Sequence, residues 1–265
     1  MNFDNVFKKK QFIPYITCGY PTKKDTVDIV KLFLDKGVEI IELGIPFSDP
    51  VADGPTIQYS SYIALKNGIS IDDVFDVVKE TVRYKFYYPV LMTYLNPTII
   101  YGIEKFFKKA RDCGVKGIIF ADCIAEEDYV FSMSRKYNID TILLLAPTTS
   151  YERRKLIYEK TTGFVYVVTL TGTTGERTNL PEYFYKFIKK IRKETEKPLC
   201  AGFGLSKVEQ VLPILDYVDG FIVGSKIINI IREQKDIRQA YKKLKKFVDE
   251  FVDITRLSSL QVCRL

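Results

Sequence analysis

The sequence predicts an α/β protein built as a single (β/α)8 TIM barrel over residues 1–265, with the last few residues a frayed tail, and three observations carry that expectation. The chain is 46% hydrophobic and 28% charged, enough apolar material for a sizeable core and too much for a largely disordered chain. Short β-branched or apolar runs alternate with longer amphipathic segments, and no Gly/Ser/Pro-rich linker interrupts them, which implies a parallel sheet. The apolar runs number eight, the strand count of a closed barrel of this size.

Taken in order, the first run is 12–17, β-branched and aromatic, ending at Cys18-Gly19-Tyr20-Pro21. A doubly wound open sheet is the alternative fold, and it would want Gly-x-Gly-x-x-Gly at this turn, which the chain does not supply. Helical spacing of apolar residues over 24–36 closes at Gly37, as a C-terminal cap requires. Strand 39–43 follows, then a long segment reaching Gln58, a helix over 71–85 and strand 90–94. A helix over 103–113 closes at Gly114 before strand 117–121, and helix 126–137 precedes strand 141–146. Strand 164–169, helix 181–194, strand 198–201 and strand 220–223 complete the alternation.

Composition narrows the chemistry. There is no histidine, which removes Ser-His-Asp triads, Cys-His dyads and His-ligated metals and leaves acid/base work to Asp, Glu, Lys, Tyr or Cys. Five cysteines, without a Cys-x-x-Cys pair, a secretory leader or an apolar run near ~20 residues, point to a cytoplasmic protein with reduced thiols and no membrane span. The net charge of +7 permits anionic substrates, but the positive charge is scattered over helical faces such as 105–111, 186–193 and 242–246, so no nucleic-acid partner is expected.

In a barrel the residues just past each strand form the active-site rim, so the letters after the eight runs are the informative ones. Within strand 39–43, alternation puts Ile40 and Glu42 on one face, and a carboxylate facing the barrel interior is costly unless used. Desolvation there gives a carboxyl group able to exchange protons near neutral pH. Asp53 follows in a loop with Pro46, Pro50 and Pro55, hinged at Gly44 and Gly54, which folds it back over the same mouth. A salt-bridged Glu and a turn-capping Asp are the plain alternative. Gly202-Phe203-Gly204 after the seventh strand and Val223-Gly224-Ser225 after the eighth suit a phosphate, because glycine admits close backbone approach and a helix start adds a favourable dipole; turn glycines without a ligand are the alternative. The stretch 171–177 after the sixth strand reads as a lid or third phosphate arm, or as an ordinary flexible loop.

The segment Glu42-Leu43-Gly44-Ile45-Pro46-Phe47-Ser48-Asp49-Pro50-Val51-Ala52-Asp53-Gly54-Pro55-Thr56-Ile57-Gln58, preceded by Phe12-Ile13-Pro14-Tyr15-Ile16-Thr17, resembles the tryptophan synthase alpha chain family. The resemblance continues through Tyr94-x-Asn96-Pro97, Ala121-Asp122, Ala146-Pro147-Thr148, Gly163-Phe164-Val165-Tyr166, Thr173-Thr174-Gly175-x-Arg177, Gly202-Phe203-Gly204 and Val223-Gly224-Ser225, in the family's order and over nearly the whole chain. One departure is Ile124, where members usually carry proline. The resemblance implies a lyase of tryptophan biosynthesis that cleaves indole-3-glycerol phosphate to indole and glyceraldehyde 3-phosphate. It also implies an α2β2 heterotetramer in which indole passes to a beta chain carrying pyridoxal phosphate, while this chain needs no cofactor and no metal. Glu42 and Asp53 are then the catalytic pair, Glu42 dry and proton-holding and Asp53 wetter and ionised. Gly175, Gly204, Gly224 and Ser225 would hold the phosphate, and Thr174 and Arg177 would belong to the lid loop. Tyr15, Met92, Ile119, Leu145, Tyr166 and Phe203 would line the indole pocket. A standalone indole-3-glycerol phosphate lyase and a catalytically weak activating partner of the beta chain are the competing roles.

Overall fold

The computed structural model describes residues 3, 5–168, 180–202, 204–234 and 236–262, with 257–262 as backbone only. Nine parallel strands form one sheet in the order β5-β4-β3-β2-β1-β9-β8-β7-β6. They are β1 Gln11–Thr17, β2 Ile40–Gly44, β3 Tyr88–Thr93, β4 Gly117–Phe120, β5 Asp140–Ile142, β6 Leu144–Leu145, β7 Val165–Val168, β8 Leu199–Gly202 and β9 Gly220–Val223. The expected strand 141–146 is thus two short ones. β5 pairs with β4 and β6 with β7, and the Leu143 carbonyl between them accepts the Tyr166 N–H at 3.0 Å, so the sheet comes round on itself through one kinked segment. A barrel needs this because each strand is rotated from its neighbour, and the last hydrogen bonds close only if the chain bends between two partners.

Eleven α-helices lie among the described residues: α1 Lys23–Asp35, α2 Pro55–Lys66, α3 Ile71–Tyr84, α4 Leu95–Tyr101, α5 Ile103–Cys113, α6 Asp128–Tyr137, α7 Tyr151–Lys160, α8 Glu182–Arg192, α9 Val208–Val211, α10 Ser225–Arg232 and α11 Ile237–Val262. Local chemistry sets several ends. The Thr22 hydroxyl accepts the Asp25 N–H at the start of α1, and Ser70 with Asp73 forms a reciprocal capping box on α3. Gly114 ends α5 in the left-handed conformation at φ 96°, which a β-carbon would penalise. Residues 42–58 are not one long loop: β2 runs to Gly44 and α2 starts at Pro55, whose fixed φ suits a first helical turn. Gly44 is a strand residue in register with Met92, not a hinge, and a Cβ placed there would overlap the Tyr15 phenol.

The core is continuous through the barrel and the helix layer. At the barrel's N-terminal end, Phe3 is buried against Tyr88 and edge-on to Phe164. Phe251 of α11 stacks on Phe12 of β1, ring centroids 5.1 Å apart. Burial of each such ring stabilises the fold by roughly 2–3 kcal/mol before cavity effects, so the barrel is rigid beneath its rim. Among the described residues no helix is long and apolar enough to cross a membrane, and Cys18, Cys113, Cys123 and Cys200 are free thiols.

Candidate active site

Parallel pairing decides which side chains share the barrel interior, because residues in register on neighbouring strands point the same way. Tyr15 of β1 is in register with Glu42 of β2, Gly44 with Met92 of β3, and Met92 with Ile119 of β4. Across the barrel, Tyr166 of β7 is in register with Cys200 of β8. One cleft opens at the strands' C-terminal ends, with an empty volume of about 360 Å³ counted out to its mouth. Tyr15, Glu42, Met92 and Tyr166 line it from the strands, Asp53 and Ile57 from the segment after β2, and Gly204, Ile222, Gly224 and Ser225 from the segments that end β8 and β9.

The structure therefore brings together Glu42, Asp53, Gly204, Gly224, Ser225, Tyr15, Met92 and Tyr166. Ile119, in register with Met92, is wholly buried and is not among the residues that line the cleft. Leu145 requires a correction: it is in register with Val167, so it faces away from Tyr166, and Leu144 shares the Tyr166 face. The alternation carries through Leu143 unchanged, since Ile142 is in register with Ile119 as Leu144 is with Tyr166, and the expectation had placed Leu145 on the wrong face. Thr174, Gly175, Arg177 and Phe203 lie outside the described residues. Sequence reading missed two lining residues. Ile222 was legible as the inward position two before Gly224, whereas Ile57 was hidden because the start of α2 reads as loop.

Glu42 is 1% exposed, and neither carboxyl oxygen has a hydrogen-bond partner among the described residues. Burial pushes its carboxyl up to about 8, with Asp53 nearby adding to the rise. Asp53 is the wetter member of the pair, though only narrowly. It is 6% exposed, and burial pushes it up to about 6 although the Tyr94 hydroxyl, donating to Oδ2 at 2.9 Å, favours its ionised form. Asp53 is dry because the turn is tied down: the same Tyr94 oxygen accepts the Ala52 N–H at 3.1 Å, and Gln58 Nε2 donates to the Asp53 carbonyl at 2.8 Å. The two carboxyl groups still differ in the sense acid/base work needs, one protonated and one largely ionised at neutral pH.

Ser225 is the first residue of α10, with Gly224 as its N-cap, so the start of a helix and the positive end of its dipole line the cleft. Gly204 has φ 76°, a conformation that requires glycine whatever binds there. Among the described residues no group of three or more Cys, Asp or Glu is arranged to hold a metal ion.

A parallel barrel with an acid pair in its mouth and a helix start facing them defines an enzyme that performs proton chemistry on a small anionic substrate. The family model for the tryptophan synthase alpha chain matches residues 3–256, and the chain belongs to that family. It is 42% identical to the tryptophan synthase alpha chain of Pyrococcus furiosus over 251 residues, covering 94% of this chain and 100% of that one. The alpha chain of Dehalococcoides mccartyi is 43% identical over 237 residues, covering 88% and 91% respectively. Among solved structures, a chain of the P. furiosus tryptophan synthase α2β2 complex superposes with a TM-score of 0.84 at 40% identity, covering 92% of this chain and 99% of its own. The Mycobacterium tuberculosis tryptophan synthase gives 0.85 at 29% identity, covering 95% and 94%.

Proposed function

We propose that this chain is a tryptophan synthase alpha subunit, a lyase that splits indole-3-glycerol phosphate into indole and glyceraldehyde 3-phosphate and passes indole to a beta chain. The observation that carries the reading is a proton-holding Glu42 beside an ionised Asp53 in one dry cleft. Protonated Glu42 gives its proton to indole carbon 3, and the positive charge that develops at the ring nitrogen is met by the Asp53 carboxylate, which accepts the N–H. The Glu42 carboxylate then takes the proton of the side-chain hydroxyl. The O–H electrons form the aldehyde, the carbon–carbon bond breaks, its pair restores the aromatic ring, and Glu42 ends as it began. No cofactor takes part in this sequence; pyridoxal phosphate belongs to the beta chain. Tyr15, Met92 and Tyr166 supply flat apolar walls for an indole ring. The test is indole release by the purified chain from indole-3-glycerol phosphate, with and without a beta chain: release in both marks the alpha subunit, and none in either overturns the reading.

Phosphate recognition in this reading is made by the backbone at Gly204, Gly224 and Ser225; Thr174, Gly175 and Arg177, candidates from the family resemblance, lie outside the described residues. Ser225→Asp separates ligand from fold. A carboxylate at a helix start favours the helix, so the variant should keep its melting temperature, yet it should weaken glycerol 3-phosphate binding at least ~10-fold by like-charge repulsion. Calorimetric titration reads the binding and thermal melting the fold.

Association with a beta chain is supported by apolar side chains left on the rim around the cleft mouth. Val51 is 77% exposed, and Ile100 of α4 is 78% exposed. Tyr62 and Leu65 line a groove beside Val51, Phe47 and Pro50, and Ile124 stands exposed after β4. Such a patch marks a protein interface. Ile100→Glu should raise the dissociation constant for the beta chain at least ~10-fold, because the charge would be buried unpaired, and leave cleavage by the isolated chain unchanged. Sedimentation of the mixed subunits checks this.

A further inference from the structure

Just past the end of β3, two hydrogen bonds meet at the phenol oxygen of Tyr94. The Ala52 N–H reaches it at 3.1 Å, and it lies 2.9 Å from Oδ2 of Asp53, the next residue along the same turn. A backbone N–H can only donate, so the phenol oxygen accepts there. Its single proton is left for Asp53, whose ionised carboxylate can only accept. The direction of both bonds is therefore fixed by what the groups are. The phenol is itself a fixed point: Tyr94 is 4% exposed, and its ring lies 5.3 Å from that of Phe47. It sits between the last residue of β3 and the first of α4, where the Leu95 N–H donates to Asp122 Oδ1 at 2.9 Å.

We propose that Tyr94 is the positioning residue of Asp53: one phenol clamps both the backbone before the carboxylate and one of the carboxylate's two oxygens, and so leaves the other set toward the cleft that Asp53 lines. This rests on the proposed charge-stabilising role of Asp53. A side chain ordered in advance loses no rotamer freedom when the substrate enters, and the acceptor stands ready where positive charge develops. The hydroxyl also favours the ionised form of Asp53, against the burial that pushes its carboxyl up to about 6. The other titratable groups facing Asp53 are Glu42 on β2, Tyr15 on β1 and Tyr166 on β7, while Asp122 after β4 faces Tyr94. Burial first, and then the nearby carboxylates, pushes all three phenols far above their usual range, so Tyr94 keeps its proton and stays a donor.

Tyr94→Phe removes donor and acceptor together, and the two roles a hydroxyl could have here predict opposite signs. Loss of a donor to the carboxylate raises the Asp53 titration midpoint by about half a unit to one unit. Loss of a merely structural tie loosens the turn, lets water reach Asp53 and lowers the midpoint toward the ordinary carboxylate value. Replacing Tyr94 with 3-fluorotyrosine keeps the shape and makes the hydroxyl a stronger donor, so the midpoint should fall with the melting temperature unchanged. The measurement is a carboxyl carbon-13 NMR titration of the labelled full chain, with the Asp53 signal assigned by its loss in Asp53→Asn. In Tyr94→Phe, single-turnover indole release should also fall ~10-fold with substrate affinity within a few-fold, and its acid limb should move up with the midpoint. An unmoved or lowered midpoint in Tyr94→Phe, or an unmoved or raised one in the fluorotyrosine protein, overturns the proposal. The NMR titration does not depend on turnover, so a chain that fails to cleave indole-3-glycerol phosphate would overturn the functional reading and leave this test standing.

Discussion

Glu42→Gln should abolish most cleavage, lowering single-turnover indole release by ~10²–10⁴ while leaving substrate affinity within a few-fold. The amide keeps the side chain's shape and can neither give nor take the proton that both halves of the reaction need. The same substitution should change stability in a pH-dependent way. Burial raises Glu42 from its ordinary 4.5 to about 8, so the folded chain holds that proton more tightly than the unfolded one. Wild type therefore loses stability as pH climbs through that window, and a glutamine loses none. The stability of Glu42→Gln relative to wild type should rise between pH 4.5 and 8 by on the order of a few kcal/mol, several degrees in melting temperature. Thermal melts at pH 4.5, 6 and 8 read this directly. An active variant would remove Glu42 from the chemistry, and a flat stability difference would mean that the buried carboxyl is not held protonated.

Asp53→Asn is the second large effect. Asparagine still offers Tyr94 an acceptor oxygen, so the turn's ties through Tyr94 and Gln58 survive, but the charge facing the indole nitrogen is gone. Cleavage should fall by ~10²–10³, in the isolated chain and in the complex alike. Below about pH 6, where wild type slows as Asp53 takes a proton, the variant should show no further loss. Binding of a beta chain across the exposed rim should speed wild type by favouring the closed arrangement of the 45–54 segment, a population shift that donates no residue. Single-turnover release for both proteins, each with and without the beta chain, provides the measurement. Restoration of the asparagine variant to the wild-type rate by the beta chain would make Asp53 a positioning residue.

Residues whose meaning depends on periodicity or on local chain chemistry were legible in the sequence. Glu42 stood out because a strand alternates with period two, and Gly224-Ser225 because a glycine before an amphipathic run marks a helix start whatever surrounds it. The eight-run alternation gave the barrel for the same reason, and Gly114 gave a helix end because its conformation is set by its own missing side chain. Other features are set by residues far apart in the chain. The break at Leu143 arises from closure of the sheet between β4 and β7, partners far apart in the chain. The low exposure of Asp53 depends on Tyr94, 41 positions away, a tie that no local pattern in the proline-rich segment marks. Glycine at position 44 looked like a hinge and is instead space for a phenol on the neighbouring strand. The sequence alone determined which residue types face the barrel interior and where helices begin and end, since both follow from bonds between near neighbours. Only the tertiary structure decided the burial and proton affinity of Glu42, because those depend on which distant groups exclude water from it.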